Sequence, residues 1–147
     1  MPAFYQIGDV VERTGLTHRA LHYYEEIGLL VPSLKLEGGL RLYTEDDLRR
    51  IDRILQLREL LGLSLHEIKA ILEAEDARAT LLEAARAEAS AETRRADLEK
   101  ALAIAQQQLD RVRARLEQTS LLADRLEAET GELRRALDQA AGVRQEA

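Results

Sequence analysis

The chain has 147 residues and a formal net charge of −6, enough for one ordinary domain or a small domain plus an extended element. It contains no Cys and only three His, which excludes disulfides, thiolate metal sites and a cysteine redox sensor and makes a rich metal cluster unexpected; no cofactor and no metal are expected. Residues 1–70 carry nine Lys and Arg against eleven Asp and Glu, so neither half is basic and affinity for any polyanion has to come from local placement of a few cations.

The start, MPAFYQIGD, is short of apolar residues, and no run approaches a membrane span, so a soluble, cytoplasmic protein is expected. No Ser-His-Asp set, phosphate loop or ligand-spaced acidic cluster is present, and an enzyme is not expected.

In chain order, Gln6–Arg13 places Ile7, Val10 and Val11 on one face of a short helix that stops at Thr14-Gly15. Thr17 stands at an N-cap position ahead of His18-Arg19-Ala20-Leu21-His22-Tyr23-Tyr24-Glu25-Glu26. Two short helices joined by a Gly-containing turn predict a helix-turn-helix with the second as its recognition helix. The stretch Val31–Tyr43 predicts a two-stranded wing with Gly38-Gly39 at or near its tip and Lys35 and Arg41 as its cations. A plain surface loop with a solvated Arg41 is the equal alternative from local sequence.

Thr44-Glu45-Asp46-Asp47 reads as a capping box opening a helix through Leu48, Ile51, Ile54, Leu55 and Leu61 to Gly62. Ser64-Leu65-His66-Glu67 is a second box, opening a short helix with Ile68, Ile71 and Leu72. The expected core comprises Ile7, Val10, Leu16, Leu21, Leu29, Leu30, Leu42, Leu48, Ile51, Leu55, Leu61, Leu65 and Ile68. Tyr23 and Tyr24 are adjacent on a helix and cannot share a direction; one belongs to the core and one faces outward, and sequence leaves open which. Arg49, Arg50 and Arg53 stand beside Asp46, Asp47 and Asp52, which favours a solvated, paired face for at least two of them over phosphate contacts.

The ordered motifs Tyr5–Gly15, Leu21–Ser33, Gly39–Tyr43, Asp47-Leu48 and Leu63–Lys69 resemble the MerR family of bacterial transcription regulators. The Leu21-His-Tyr-Tyr24 form resembles its multidrug- and antibiotic-responsive branch, without the ligand-binding domain that branch usually adds. The resemblance implies a mainly α protein: a winged helix-turn-helix head over 1–75, a coiled-coil dimerisation helix over 76–118 and a C-terminal helical segment over 119–147. Transferred by position, it implies DNA contacts from Thr17, His18, Arg19, His22, Tyr23 and Tyr24 on or beside the recognition helix, and from Arg41 and Tyr43 on the wing; Lys35 joins them there. Two positions depart from the family's usual pattern, with His22 where most members have Arg and Leu40 where the wing carries an aromatic or His.

Beyond the head, a heptad seam runs through Leu98, Leu102, Leu109, Val112 and Leu116, a stripe that one isolated helix would expose to water. The resemblance implies an antiparallel dimer coil at about Leu81–Leu116. Thr119-Ser120 is the predicted weak point, after which Leu121-Leu122 start a separate helix; one very long helix is the alternative. With all five Tyr and Phe residues in the head, no aromatic residue lines a pocket for a flat effector in the remainder. The functional expectation is a homodimeric, sequence-specific regulator that distorts the spacer of promoter DNA for RNA polymerase. An architectural DNA-binding protein and a helical protein-interaction module are the alternatives.

Overall fold

The computed structural model describes residues 3–145, with side-chain burial described through residue 142. The chain forms two units, one running to Thr80 and one beginning at Leu81. In the first, β1 (Tyr5–Gln6) leads into α1 (Ile7–Thr14), α2 (His18–Glu26), β2 (Leu34–Lys35), β3 (Arg41–Tyr43) and α3 (Glu45–Leu61). Next come α4 (Leu65–Ala87), which runs on into the second unit, and α5 (Ala91–Gln145).

Local chemistry accounts for each boundary of the head. Thr17 Oγ1 accepts from Ala20 N at 3.1 Å and starts α2 where the sequence places it. The α2 chain then turns under itself: Leu29 N and Leu30 N both donate to Tyr24 O, at 2.8 and 3.1 Å. At the wing, Gly38 and Gly39 have φ of 88° and 84°, a left-handed pair that side-chain-bearing residues adopt at a cost and that closes the β2–β3 hairpin tightly. The wing is a three-stranded sheet in the order β1-β3-β2, all antiparallel, with Tyr5 opposite Tyr43 and Lys35 opposite Arg41. The third strand, β1, is two residues long, too short to leave an alternating pattern in sequence.

Asp47 does more than close the capping box of α3. Its buried Oδ2 accepts from Thr44 N at 2.8 Å, Ser33 N at 3.2 Å and Ser33 Oγ at 2.6 Å. One carboxylate thus starts α3 and ties down the loop that leads into the wing.

The core gathers Val10 from α1, Leu21 and Tyr24 from α2, and Leu29, Leu30 and Tyr43. Leu48, Ile51, Ile54 and Leu57 of α3 and Ile68 and Leu72 of α4 complete it. Several expected members differ. Leu61 keeps the helical face of Ile54 and Leu57 but is the last residue of α3, outside the core cluster, and is 60% exposed. Ile7, Leu16, Leu55 and Leu65 pack at the margin, Leu42 is half-buried, and Tyr24 and Tyr43 take central places.

The second unit departs from the expected boundaries. No break falls at 75–76, where α4 continues to Ala87, and none falls at Thr119-Ser120, which lies within α5. Thr119 Oγ1 donates to Arg115 O at 2.8 Å, so the hydroxyl is absorbed by the preceding turn and does not compete with the helix. The interruption comes at residues 88–90. There Glu88 Oε1 accepts from Ser90 N at 2.9 Å, Arg94 donates to Glu88 O at 2.6 Å, and Ser90 precedes the first residue of α5 as its cap. The long-helix alternative holds through Gln145, and no separate C-terminal helix begins after residue 118. Leu98, Leu102, Leu109, Val112 and Leu116 are all exposed. Among the described residues, no helix is long and apolar enough to cross a membrane.

Candidate nucleic-acid interface

The helix α2 has two contrasting faces. Leu21 and Tyr24 point inward, Tyr24 being 1% exposed, and Arg58 donates to its hydroxyl at 3.2 Å. Thr17, His18, Arg19, His22 and Tyr23 face outward, with Tyr23 49% exposed. The question left open between the two tyrosines is therefore answered: Tyr24 is core and Tyr23 is surface. Thr17, Arg19, His22 and Tyr23 border one shallow, open depression together with Ala20 and Glu26. A face of this kind presents a cation, two imidazoles, a hydroxyl and an amphipathic ring to whatever lies against it.

On the wing, Arg41 and Tyr43 are two residues apart on β3 and so share a face. Both reach Glu25 of α2. The Tyr43 hydroxyl donates to Glu25 Oε1, and Arg41 Nε lies 2.5 Å from Glu25 Oε2. The Arg41 N–H is buried and not aligned for a hydrogen bond, so charge attraction holds this contact. Burial, then the hydrogen bond to Glu25, raises the Tyr43 hydroxyl pKa above its ordinary value. Glu25 also offsets the repulsion between Arg41 and Lys35, which face each other across β2 and β3.

This geometry corrects two expected contacts. Tyr24 and Tyr43 are inside the head and their rings brace α2 and the wing, because each sits on the core-facing side of its element. Arg41 remains partly accessible, with its side chain 29% exposed, and Lys35 is exposed. Glu25, which organises the wing against α2, is absent from the expected set. The one signal for it was the placement of Arg41 and Tyr43 on the same strand face, needing a shared acidic partner.

The remaining cations divide clearly. Arg49 pairs with Asp46, Arg50 with Asp76 at 2.9 Å and Arg53 with Glu75 at 2.8 Å, so all three take the paired-face reading. Arg13 lies over the Tyr5 ring at 4.7 Å and pairs with Glu45, to which the Tyr5 hydroxyl also donates. The Tyr5 hydrogen bond first, then that from Arg13, holds the Glu45 carboxyl below its ordinary range. Among the described residues, Arg19 and Lys35 carry no ion pair. They are the cations of α2 and the wing that the head leaves uncommitted.

Residues 5–75 match the MerR HTH family of regulatory proteins. The chain is 41% identical over 68 residues to the HTH-type transcriptional regulator YfmP of Bacillus subtilis, covering 46% of this chain and 49% of that protein. It is 47% identical over 79 residues to the HTH-type transcriptional activator TipA of Streptomyces coelicolor, covering 52% and 31% respectively. The chain thus spans about half or less of the length of these relatives. A solved structure of MtaN, the N-terminal part of a Bacillus subtilis multidrug transporter activator, is 30% identical. That likeness covers 79% of this chain and 94% of that one, with a TM-score of 0.44. The match takes in every element from β1 to the first half of α4, including the recognition helix and the wing, and through this head the chain belongs to the MerR family of helix-turn-helix regulatory proteins.

Proposed function

We propose that the chain is a homodimeric, sequence-specific regulator of transcription that acts on promoter DNA in the cytoplasm. The observation that carries this reading is the outward face of α2, which keeps Arg19, His22 and Tyr23 exposed while Leu21 and Tyr24 anchor the helix beneath. Helix α2 enters the major groove, where Thr17, His18, Arg19, His22 and Tyr23 meet base edges and flanking phosphates. Lys35 lies on the backbone, and Arg41 joins it by exchanging Glu25 for a phosphate. The printed names of the relatives, transcriptional regulator and activator, support the regulatory role. The head over 1–75 carries recognition. The exposed seam Leu98, Leu102, Leu109, Val112 and Leu116 carries dimerisation, so that two heads read a pseudo-palindromic site. Distortion of the promoter spacer, with RNA polymerase engaging the reshaped DNA, is the mode of action this head supports.

The test is footprinting on the promoter region of the chain's own gene, with transcription by RNA polymerase measured in the same reactions. Protection of a palindromic spacer with a change in transcript supports the reading. Protection without that change points to an architectural protein, and no specific retention at low salt overturns DNA binding.

A further inference from the structure

We infer that His18 and His22, one turn apart on the outward face of α2, form a two-imidazole chelate for a divalent transition-metal ion such as Zn²⁺, and that an ion held there keeps α2 out of the DNA groove. The competition rests on the DNA-binding reading above; the chelate does not. The expectation that the chain holds no metal counted its three His, and their spacing points the other way. Three observations carry the site. Thr17 caps α2 through Ala20 N, so both His lie in regular helix from its first residue. Both are exposed. Among the described residues, neither imidazole is engaged in a hydrogen bond or an ion pair, so each can turn a ring nitrogen to a ligand without breaking a contact.

Residues four apart on an α-helix are displaced by about 6 Å along the axis and about 40° around it, which places their Cβ atoms about 5–6 Å apart. From there two imidazoles converge on one ion at the usual metal–nitrogen distance of about 2.0–2.1 Å, as a His pair at this spacing does on the helix of a zinc protease. Glu26 continues the same ridge one turn beyond His22, is exposed, and borders the same shallow depression as His22. Its carboxylate brings negative charge toward the ion and can accept the second ring N–H of His22, the support that metal-bound imidazoles take. His18 and Glu26 are two turns, about 12 Å, apart along the axis and cannot share one ion. In keeping with this, no group of three or more His, Cys, Asp or Glu among the described residues could hold a metal. The pair therefore leaves the ion's remaining positions to water. Imidazole donors suit Zn²⁺, Ni²⁺ and Cu²⁺, whereas Mg²⁺ and Ca²⁺ take oxygen ligands.

The ion and DNA compete for the same space and the same nitrogens. An α-helix with its side chains is about 10–12 Å across and the major groove about 12 Å wide, so a helix seated there leaves no room for a hydrated ion between it and the bases. A ring nitrogen bound to metal can neither accept a hydrogen bond from a base nor donate one to a phosphate. Exclusive binding is reciprocal: zinc weakens DNA binding, and DNA keeps zinc off the helix. The recognition helix thereby carries its own response to free metal.

The test uses the full, untagged chain and the variants H18Q, H22Q and H66Q, the last removing the one His outside the pair. Both paired positions are exposed and Gln is a good helix former, so the variants keep the fold. Zinc titrated by calorimetry should bind wild type and H66Q at one ion per chain. H18Q and H22Q should lose at least the roughly 10–100-fold in affinity that removing even a supporting partner costs, and Mg²⁺ should bind none of the four. Retention of the promoter fragment is then measured in EDTA and in zinc at about ten times its dissociation constant, where full exclusion weakens DNA binding about elevenfold. H66Q should show the same drop and Mg²⁺ should not produce it. H18Q and H22Q, whatever their own affinity for DNA, should be nearly insensitive to zinc. Absence of zinc binding to wild type, undiminished binding by H18Q and H22Q, or one ion per two chains, which means an ion shared between copies, overturns the chelate. Zinc that binds but leaves DNA affinity unchanged or raised overturns the competition and keeps the site. A chain that retains no DNA in EDTA overturns the DNA-binding reading and the competition with it, while the calorimetry still decides the site.

Discussion

Glu25→Ala should loosen the head by removing the group that joins its recognition helix to its wing. The Tyr43 side chain is fully buried and its hydroxyl donates to Glu25. Without the acceptor that donor is stranded, a cost of about 1–3 kcal/mol. Arg41 adds less, since its side chain is 29% exposed and can turn toward water; a screened pair of this kind contributes roughly 0.5–1 kcal/mol. The expected loss is therefore about 1.5–4 kcal/mol. Urea unfolding followed by tyrosine fluorescence measures it selectively, because all four tyrosines lie in the head and report its unfolding apart from that of α5. Tyr43→Phe removes the stranded hydroxyl, so Glu25→Ala/Tyr43→Phe should cost less than the two single changes combined, by about 1 kcal/mol. Strict additivity, or an Ala variant as stable as wild type, would refute the account of Glu25 as the brace.

Asp47→Ala removes the acceptor for Thr44 N, Ser33 N and Ser33 Oγ and should destabilise the head by about 2–3 kcal/mol. The same urea titration checks it, with protection of the Ser33 amide from hydrogen exchange as the local readout. Tyr5→Phe takes away the largest influence on Glu45, so the Glu45 pKa should rise toward its ordinary value in a carboxyl-detected NMR titration. In wild type a depressed carboxyl contributes stability that is present above its unfolded pKa and fades as pH falls through the folded one; the variant should show a smaller acid-side decline, and an unmoved Glu45 would count against the contact. Lys35→Ala should weaken DNA binding about equally on all sequences and lower the salt slope by about one contact. Arg19→Ala should instead change preference at one base position, by about 1–3 kcal/mol, in a competition assay against substituted sites.

Much of the head was legible because its boundaries are set by residues acting on their immediate neighbours. Thr17, Thr44 and Ser64 each cap the helix that follows by accepting from the backbone N–H three residues on, and Gly38-Gly39 close a turn between adjacent strands. What was not legible depends on partners far along the chain. The two tyrosines of α2 are equivalent by local pattern, and only the packing of Tyr24 against Arg58, 34 residues away, separates them. Likewise Arg41 and Tyr43 look like surface groups until Glu25, on a different element, is brought to their inner face.

The stalk illustrates the converse. Thr119-Ser120 reads as a weak point by composition, yet a threonine that returns its hydroxyl to the carbonyl four residues back leaves the ladder whole. Ser90 follows no Gly or Pro and leaves little trace, but with Glu88 and Arg94 it ends one helix and starts the next. A break at 88–90 and continuity at 119–120 together decide which apolar residues share one face. With continuity, Leu109 and Leu133 belong to a single stripe. An unbroken helix cannot cover its own stripe, so these leucines stay exposed in the single chain.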